Sequence, residues 1–504
     1  MAINKIKKII IFGGGTSGWL TAAYLTKNLT FPCEIVLIES TSLGPIGVGE
    51  GTQPATARFL YDCGLKPKDW MKPSNAVFKL GVEFSGWTAD DYFVDNDFIE
   101  NTMIGPGLFT TDYFTGKPKQ EFFNWMPSYR MAKENKSPKL AGFDTNYAQT
   151  GNRQFGAVHF SALDIVKSIK KLIDHKITYV NTKITDVKSN HTGITSVVGE
   201  DGKEYTADLY LDCSGFNSLL LEKTLGVEFI SVGDILPCDK AVAIPTEYTD
   251  PKTECHPYTK STAMSAGWRW TIPIFHRVGN GYVYSSKHIS PEEAEKELRD
   301  AIGDYTTPAN HLTMRCGIHK SVAYKNVCAV GLSAGFVEPL EATGITFTTN
   351  AVEMVTEGLN RTQGIWSQPL RTNINDLYDI MFWEIVAFVW AHYHFSTKDD
   401  TPFWNLIHQQ TKDAIPEKVI HFVEKFVPTP HRDFFLHPTS SFHIGHWFSV
   451  LSAGNVYNKH KPALYGDIEK YAEYFIKNQT YRTDTVLEMF PNHYEFLKDW
   501  YRTE

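Results

Sequence analysis

Short apolar runs separated by glycine-rich turns define the start of the chain. Residues 9–12 are apolar throughout, and residues 16–29 carry Ala and Leu at helical spacing. Residues 34–38 form a second apolar run, which ends at Glu39. This order predicts a buried strand, a glycine turn, a helix and a second strand, which together make the βαβ unit of a parallel sheet.

The hydrophobic pattern changes several times further along the chain. Gly, Pro, Asn and aromatic residues dominate residues 84–156, whose weak periodicity predicts loops and short strands inserted into the fold. Helical spacing predicts helices at 163–172 and 291–302, the second beginning with the capping-box pair Ser290 and Glu293. Strands are predicted within 178–210, 241–284 and 327–332, and mainly helices from about residue 348 onwards.

Composition and charge exclude several classes of protein. The 504 residues are 42% apolar and 21% charged, which is typical of a globular chain and not of a disordered one. A net charge of -8 gives no basic surface for nucleic acid. Every apolar run is far shorter than the ~20 residues of a membrane-spanning helix. We therefore expect neither a nucleic-acid partner nor a membrane partner.

The chain start and the cysteines indicate a cytoplasmic protein. Residues 1–8 are basic, but the apolar run that follows ends after four residues, which is too short for a secretory signal. The seven cysteines contain no Cys-x-x-Cys pair. This spacing favours free thiols in a reducing compartment over disulfides or a zinc site, so no bound metal is expected.

The first glycine turn carries a dinucleotide-binding pattern. Gly13 permits a tight turn, Gly15 lets the backbone approach a pyrophosphate, and Gly18 lets the helix pack closely on the strand. The helix N-terminus then stabilises the phosphates, and Glu39 accepts hydrogen bonds from the adenosine ribose. The alternative is a glycine-rich turn that binds nothing. The full Gly-x-Gly-x-x-Gly segment is Gly13, Gly14, Gly15, Thr16, Ser17 and Gly18.

The position of this pattern near the start of a long chain favours FAD over NAD. Two later strands run into turns at 212–215 and 331–335, where flavoproteins approach the rest of FAD. No second fingerprint for a nicotinamide nucleotide is present, which suggests reduced flavin from another source, although some NADPH-using hydroxylases lack one too. We predict an α/β fold with a Rossmann-like FAD-binding module of the flavin hydroxylase type.

Several segments, spread over most of the chain, carry a resemblance to a known family. The chain resembles the flavin-dependent tryptophan halogenases, and among them most the brominating members that act on free indole. Its matching segments are residues 13–19, 48–52, 78–82, 335–345, 392–393 and 400–404, and Gly-Trp-x-Trp-x-Ile-Pro at 267–273.

The resemblance implies a halogenase that uses reduced FAD (FADH2), O2 as co-substrate and a halide, bromide or chloride. Hypohalous acid is relayed to Lys79, and Glu341 stabilises the attacked ring or accepts its proton. The backbone amides of Thr343 and Gly344 lie beside the halide. From the residues alone, Lys79 could equally be a surface lysine pointing out of a strand. Val48, Gly49, Leu332 and Ile345 match further cofactor-binding positions.

One position departs from the family pattern, because Ala342 stands where Ser often follows the glutamate. Trp268, Trp270 and Pro273 match a tunnel wall that lets hypohalous acid pass and keeps a larger ring from the flavin. Two tryptophans packed in the core of a sheet are the alternative.

The Tyr-rich lid of tryptophan-specific members has no match here, and Trp447 can stack on an indole. This favours indole, or a simple derivative, over the amino acid.

The resemblance also implies a domain organisation and a partner. Residues 1–350 form the FAD-binding module, with β-rich substrate-side insertions near 84–156 and 230–290, and residues 351–504 form a mainly helical region that covers the substrate. A separate flavin reductase supplies FADH2. Two alternatives are a flavin-dependent aromatic monooxygenase that hydroxylates its substrate, and a non-catalytic nucleotide-binding protein.

Overall fold

The computed structural model describes residues 5–41, 50–96, 127–139, 156–410, 415–426, 441–442, 444–456, 484 and 487–503. Structural statements below refer to these residues. Val48 and Gly49, and most of the predicted insertion at 84–156, lie outside them. None of the described helices is long and apolar enough to cross a membrane.

A six-stranded sheet contains the start of the chain. The predicted βαβ unit is present as strand Lys8–Phe12, helix Thr16–Asn28 and strand Glu34–Glu39, with the two strands parallel. The apolar runs form strands because the sheet buries them on both faces. The strand order is Ala323–Tyr324, Val327–Ala329, Leu209–Asp212, Lys8–Phe12, Glu34–Glu39 and Thr178–Asn181.

A seven-stranded sheet forms the other side and contains the predicted β-rich stretch at 241–284. Its pairs are antiparallel except for Thr259–Met264 with Gly81–Ser85, which is parallel. The strand order is Asn310–Thr313, Lys240–Thr246, Arg277–Tyr284, Gly267–Ile274, Thr259–Met264, Gly81–Ser85 and Tyr92–Asp95.

The described residues also form three sheets of three strands each. The sheet that matters for the site joins Glu50–Gly51, Ala157–Phe160 and Val77–Lys79. The other two are Phe229–Ser231, Gly317–His319 and Gly335–Phe336, and Glu204–Tyr205, Gly193–Gly199 and Ile184–Asn190.

Helices surround the sheets and dominate the described C-terminal part. The predicted helix at 291–302 is Pro291–Ile302, and the Ser290–Glu293 capping box is formed in both directions. The other α-helices are Pro54–Asp62, Pro67–Trp70, Pro127–Lys133, Ala162–Ile173, Pro251–Glu254, Thr343–Arg361, Gln368–His394, Pro402–Gln409, Glu417–Phe426, Ile444–Ala453 and His493–Thr503. Shorter turns of helix are Asp174–Lys176, Gly215–Asn217, Leu219–Thr224 and Gly331–Ser333.

The predicted boundary at residue 350 does not coincide with the end of an element. It falls inside helix Thr343–Arg361, and one continuous hydrophobic core contains residues from both sides, such as Ile10 and Phe388. Helix Thr343–Arg361 crosses the predicted boundary. The predicted site residues Thr343 and Gly344 lie in its first turn, and core residues such as Val352 and Leu359 follow. The two predicted regions therefore share one core.

Candidate active site

The glycine turn has the geometry that a pyrophosphate requires. Gly13 has φ +120°, and a Cβ there would lie 2.4 Å from the Cys213 carbonyl oxygen. A Cβ on Gly18 would lie 1.9 Å from the Gly13 carbonyl oxygen, so only glycine allows this helix to pack on this strand. At Gly15, by contrast, a Cβ would have no neighbour within 4 Å. The turn therefore has no room for a side chain at Gly13 and Gly18, whereas the space beside Gly15, where the pyrophosphate is expected, is free of protein atoms.

The helix that follows presents free amides to this open space. Helix Thr16–Asn28 has Gly15 as its N-cap, no side-chain cap and no acidic residue in its first turn. The first N–H groups of a helix have no partner inside the helix, and they carry a partial positive charge. The region around Thr16 and Ser17 thus fits the phosphates of FAD.

Glu39 lies beside this turn, as predicted, but protein groups already hold its carboxylate. It accepts hydrogen bonds from Lys170 Nζ at 2.8 Å, Tyr179 Oη at 2.6 Å and Trp19 Nε1 at 3.2 Å. Burial raises the pKa of this carboxyl, but the three donors outweigh burial and hold the pKa below its usual value. A carboxylate has about four acceptor sites, so a ribose hydroxyl has one left to use. No sequence motif pointed to Lys170 or Tyr179.

A second group of predicted site residues lies next to the glycine turn. A shallow cleft brings together predicted residues Leu332, Thr343 and Gly344. It adjoins the glycine turn, because a Cβ on Gly331 would lie 2.2 Å from Ser17 Oγ. Ile345, one residue further along the helix, is buried.

The predicted halide residues stand at a second uncapped helix N-terminus. Helix Thr343–Arg361 has no side-chain cap and no acidic residue in its first turn. Ala342 precedes it in the left-handed conformation, with φ +55°. A Cβ on Gly344 would have no neighbour within 4 Å, so the space beside these amides is open. This arrangement suits a small anion.

Lys79 points into the protein. It ends strand Val77–Lys79, its exposed fraction is 0%, and its Nζ donates a hydrogen bond of 3.0 Å to the Thr52 carbonyl oxygen. Burial lowers the pKa of Lys79 to about 8, although the charge of Glu341 opposes this shift. The alternative of a solvent-facing lysine is thus excluded.

One short segment connects Lys79 with Glu341. Thr52 accepts the hydrogen bond from Lys79, and the neighbouring Gln53 Nε2 donates to the backbone oxygen of Glu341 at 3.5 Å. A Cβ on Gly51 would lie 3.4 Å from Ala342 Cβ. Residues 51–53 therefore contact Lys79 as well as Glu341 and Ala342. A joint role of Lys79 and Glu341 stays a prediction.

The carboxylate of Glu341 meets a group that was not predicted as a site residue. His392 Nε2 lies 3.1 Å from Glu341 Oε1, and both side chains are buried. His392 Nδ1 is 2.7 Å from Tyr92 Oη. His392 belongs to a segment that matched the family, and this was a usable signal. No sequence signal pointed to Tyr92, which lies on strand Tyr92–Asp95, 300 residues from His392 along the chain.

The two predicted wall tryptophans lie on one face of strand Gly267–Ile274, which also carries the buried Pro273. The rings of Trp268 and Trp270 are 6.3 Å apart at 60°. Trp268 Nε1 donates to Glu338 Oε2 at 2.9 Å, whereas the buried Trp270 Nε1 has no hydrogen-bond partner among the described residues. Burial raises the pKa of Glu338 to about 7, and hydrogen bonds from Trp268 and Tyr393 oppose this shift.

Trp447 lies in helix Ile444–Ala453 and is fully buried. Its ring meets Phe388 edge-on, with centroids 4.9 Å apart, and Phe388 in turn packs against His392 at 5.0 Å. Trp447 is therefore one aromatic ring removed from the group that contacts Glu341. Its stacking on a substrate stays a prediction.

Fold and site together define a class of protein, namely an α/β protein of the dinucleotide-binding type with a buried lysine, a buried glutamate and an uncapped helix N-terminus. In the described part of the chain, no group of three or more His, Cys, Asp or Glu is arranged to hold a metal ion.

Comparisons with known proteins identify the family. The family model for tryptophan halogenases matches residues 8–468. Tryptophan 6-halogenase SttH of Streptomyces toxytricini is 33% identical over 445 residues, covering 83% of this chain and 83% of that protein. Tryptophan 7-halogenase RebH of Lentzea aerocolonigenes is 31% identical over 450 residues, with 82% of each chain covered. Xcc4156, a flavin-dependent halogenase from Xanthomonas campestris, has a TM-score of 0.86 at 26% identity, with 98% of both chains covered.

The chain therefore belongs to the tryptophan halogenase family, whose members are flavin-dependent oxidoreductases. The predicted family, the α/β fold of the flavin-binding type and the assignment as an enzyme are confirmed.

Proposed function

We propose that this chain is an FADH2-dependent halogenase that uses O2 and halide to halogenate an electron-rich aromatic ring such as indole, through hypohalous acid relayed to Lys79. The observation that carries the proposal is the fully buried Lys79, whose pKa is influenced by the charge of the buried Glu341. Lysines are rarely buried without an ion pair, and those that are often belong to functional sites.

The residues present fit FAD. Gly13, Gly15 and Gly18 shape the turn, the amides of Thr16 and Ser17 bind the phosphates, and Glu39 has one acceptor site left for the ribose. Gly14, Val48, Gly49, Leu332 and Ile345 complete the proposed contacts. When bound and reduced, the flavin supplies the electrons that activate O2. Because no second nucleotide fingerprint is present, a separate flavin reductase supplies FADH2.

Halide binds at the amides of Thr343 and Gly344. Support comes from the uncapped helix end and from the open space beside Gly344. The walls of this region include Trp268, Trp270 and Pro273, which separate the flavin from the aromatic substrate. The unpartnered N–H of Trp270 offers a polar contact on that path. Bromide is the preferred halide in this proposal, because it is oxidised more readily than chloride.

Lys79 then holds the electrophile beside the ring. Its ammonium form donates a hydrogen bond to hypohalous acid, and its neutral amine reacts with that acid to give a haloamine and water. A pKa of about 8 makes both forms available near neutral pH. Glu341 stabilises the positive charge on the attacked ring and accepts the proton that the ring carbon loses.

The proposed substrate is free indole or a simple indole derivative. SttH and RebH are named for tryptophan, so the amino acid is the competing substrate. The proposal depends on the missing Tyr-rich lid and on Trp447 as the stacking residue. Competition between equal concentrations of indole and tryptophan, followed by mass spectrometry, tests it, and preferred halogenation of tryptophan would contradict it.

Replacement of Lys79 by methionine tests the role of the lysine. Lys79→Met keeps the length and apolar stem but removes the amine, so halogenated product should fall at least about 100-fold while FAD affinity stays within about twofold. Product is measured by mass spectrometry and FAD affinity by flavin fluorescence. The matched control Lys171→Met removes an exposed lysine and should behave like the wild type. Product formation above about a tenth of the wild-type rate would remove Lys79 from the mechanism.

A further inference from the structure

Trp268 is hydrogen-bonded to a carboxylate from the segment that also carries Glu341. Its Nε1 donates a hydrogen bond of 2.9 Å to Glu338 Oε2, and the same oxygen accepts a hydrogen bond of 2.8 Å from Tyr393 Oη. All three of these side chains are buried. Since Glu338 and Glu341 lie in one short loop, this contact connects the strand of the proposed wall with the loop of the proposed active-site glutamate.

One carboxylate oxygen thus joins three elements of the fold. Trp268 lies on a strand of the seven-stranded sheet, Tyr393 lies near the end of a long helix, and Glu338 lies in the loop that leads to helix Thr343–Arg361. An indole N–H can only donate, and a buried donor needs an acceptor. An apolar side chain at position 338 would leave two donors buried without this acceptor, which disfavours the present place of both rings.

The two tryptophans of the proposed wall are held in different ways. Trp270 lies over Gly281 of the neighbouring strand, where a Cβ would lie 2.0 Å from Trp270 Cζ2. Trp268 is paired with Val283, which carries a side chain on the same face of the sheet. The hydrogen bond to Glu338 is thus the directional contact of the Trp268 ring.

The other oxygen of Glu338 gives this contact a pH dependence. Oε1 is buried without a hydrogen-bond partner among the described residues, and burial raises the pKa of Glu338 to about 7. Cys238, Cys316 and Tyr393 are the described titratable groups that face it, and burial raises the pKa of each, so they stay protonated. Because Oε2 already accepts two hydrogen bonds, the proton binds at Oε1, and the acceptor strength towards Trp268 changes with it.

We propose that Glu338 is a positioning residue for Trp268 and holds the indole ring in the place that closes the wall to the aromatic substrate. The proposal rests on the proposed halogenase function. The wall lets hypohalous acid reach Lys79 and keeps the substrate ring from the flavin, so its effect depends on where the Trp268 ring stands. Without the acceptor at position 338, the ring leaves this place, and hypohalous acid escapes before it meets Lys79.

The Trp268 N–H monitors this hydrogen bond in the resting protein, without FAD. With ¹⁵N-labelled tryptophan, its NMR signal is identified by its loss in Trp268→Phe. Glu338→Leu has no acceptor, so the signal should shift and its hydrogen exchange should become at least about tenfold faster. In Glu338→Gln, a carbonyl oxygen accepts instead, and exchange should stay within about threefold. The wild-type signal should also titrate near pH 7, and Glu338→Gln should abolish this titration.

Trp383 and Asp379 form a matched control pair of the same chemistry. Trp383 Nε1 donates to Asp379 Oδ1 at 3.1 Å, and the Asp379 side chain is 44% exposed. Asp379→Leu should therefore shift the Trp383 signal but leave the Trp268 signal in place, and it should not change halogenation.

The yield per FADH2 measures the consequence in the working enzyme. Halogenated product is counted per FADH2 consumed, and escaped hypohalous acid is counted as the sulfoxide of added methionine, with catalase present to remove peroxide. We expect Glu338→Leu to lower the yield about three- to tenfold and to raise sulfoxide, with FAD affinity within about twofold. Glu338→Gln should recover at least about half of the yield. In the Trp268→Phe background, Glu338→Leu should cause no further loss.

The possible failures are distinguishable. An unmoved Trp268 signal in Glu338→Leu would overturn the hydrogen bond, and a moved signal with an unchanged yield would overturn its role in the wall. No halogenated product from the wild type would remove the proposed function and the role of the wall with it. The Trp268 signal, which is read from the resting protein, separates this last failure from the first.

Discussion

At the scale of single residues, the site depends on a lysine that the fold keeps out of water. Lys79 has one hydrogen bond to a backbone oxygen and no direct ion pair in the described part of the chain. Its ammonium is therefore poorly compensated, and its pKa falls from 10.5 to about 8. An amine that loses its proton this easily is both a nucleophile and a hydrogen-bond donor near neutral pH.

This burial makes a prediction about stability. Between about pH 8 and pH 10.5, the folded state has lost the Lys79 proton that the unfolded state still binds, so stability rises with pH in this window. Between pH 7.5 and pH 9.5, the free energy of unfolding of the FAD-free wild type should rise by about 1 to 2 kcal/mol relative to Lys79→Met. Urea unfolding of both proteins measures this, with Lys171→Met as the control. Parallel pH dependence of the two would contradict a lowered pKa.

Sequence motifs located the residues of the site better than they described its contacts. Lys79, Glu341, Thr343 and Gly344 each lie in a segment with its own pattern, so the sequence could single them out, and their roles stay predictions. The contact between His392 and Glu341 joins the end of one helix to the loop before another, and no local pattern encodes it. The donors to Glu39 were missed for the same reason.

At the scale of elements, two helix N-termini without acidic residues converge on one cleft. Ser17 Oγ, in the first turn of helix Thr16–Asn28, lies 3.5 Å from Thr348 Oγ1 of helix Thr343–Arg361. Both helix ends lack a side-chain cap, so their first amides have no partner inside the helix, an arrangement that suits anions. A single bound anionic cofactor can thus lie close to a second, smaller anion.

The open space at Gly15 gives a test at this scale. Gly15 has an ordinary φ of -71°, and a side chain there meets no protein atom within 4 Å. Gly15→Val should therefore fold with a Tm close to that of the wild type, while FAD affinity falls at least about tenfold because the side chain occupies the pyrophosphate space. Fluorescence titration and thermal unfolding measure the two effects.

Gly18→Val is the contrasting variant, since its Cβ would lie 1.9 Å from a backbone oxygen. It should lower Tm even without FAD. Normal FAD binding by Gly15→Val would contradict the assignment of the fingerprint.

Local sequence signals predicted elements but not their pairing. The βαβ unit and the capped helix Pro291–Ile302 were predicted, since each depends on neighbours within a few residues. The predicted boundary at residue 350 falls inside helix Thr343–Arg361. The first residues of this helix are mostly polar or small, so the sequence pattern shows its apolar face only further along. The order of strands in the seven-stranded sheet depends on contacts distant in sequence, and no local pattern could supply it.

At the scale of the whole molecule, strand pairing connects the region of Lys79 with the strand that carries the proposed tryptophan wall. Lys79 precedes strand Gly81–Ser85, which pairs with Thr259–Met264, and that strand pairs with the one carrying Trp268 and Trp270. The proposed relay residue thus ends a strand of the small sheet, and the chain continues from it into the seven-stranded sheet that carries the proposed wall. One core extends from the dinucleotide-binding sheet into the C-terminal helices.

The most direct test of the account is the mass of the product from indole. The reaction contains the protein, FAD, NADH, a separate flavin reductase, O2 and either NaBr or NaCl, with enzyme-free and catalase-treated controls. We predict a product with the bromine isotope pair that requires both halide and reductase, and that is absent when Lys79→Met replaces the wild type. A product heavier by one oxygen atom, formed without halide, would contradict the account and identify a hydroxylase.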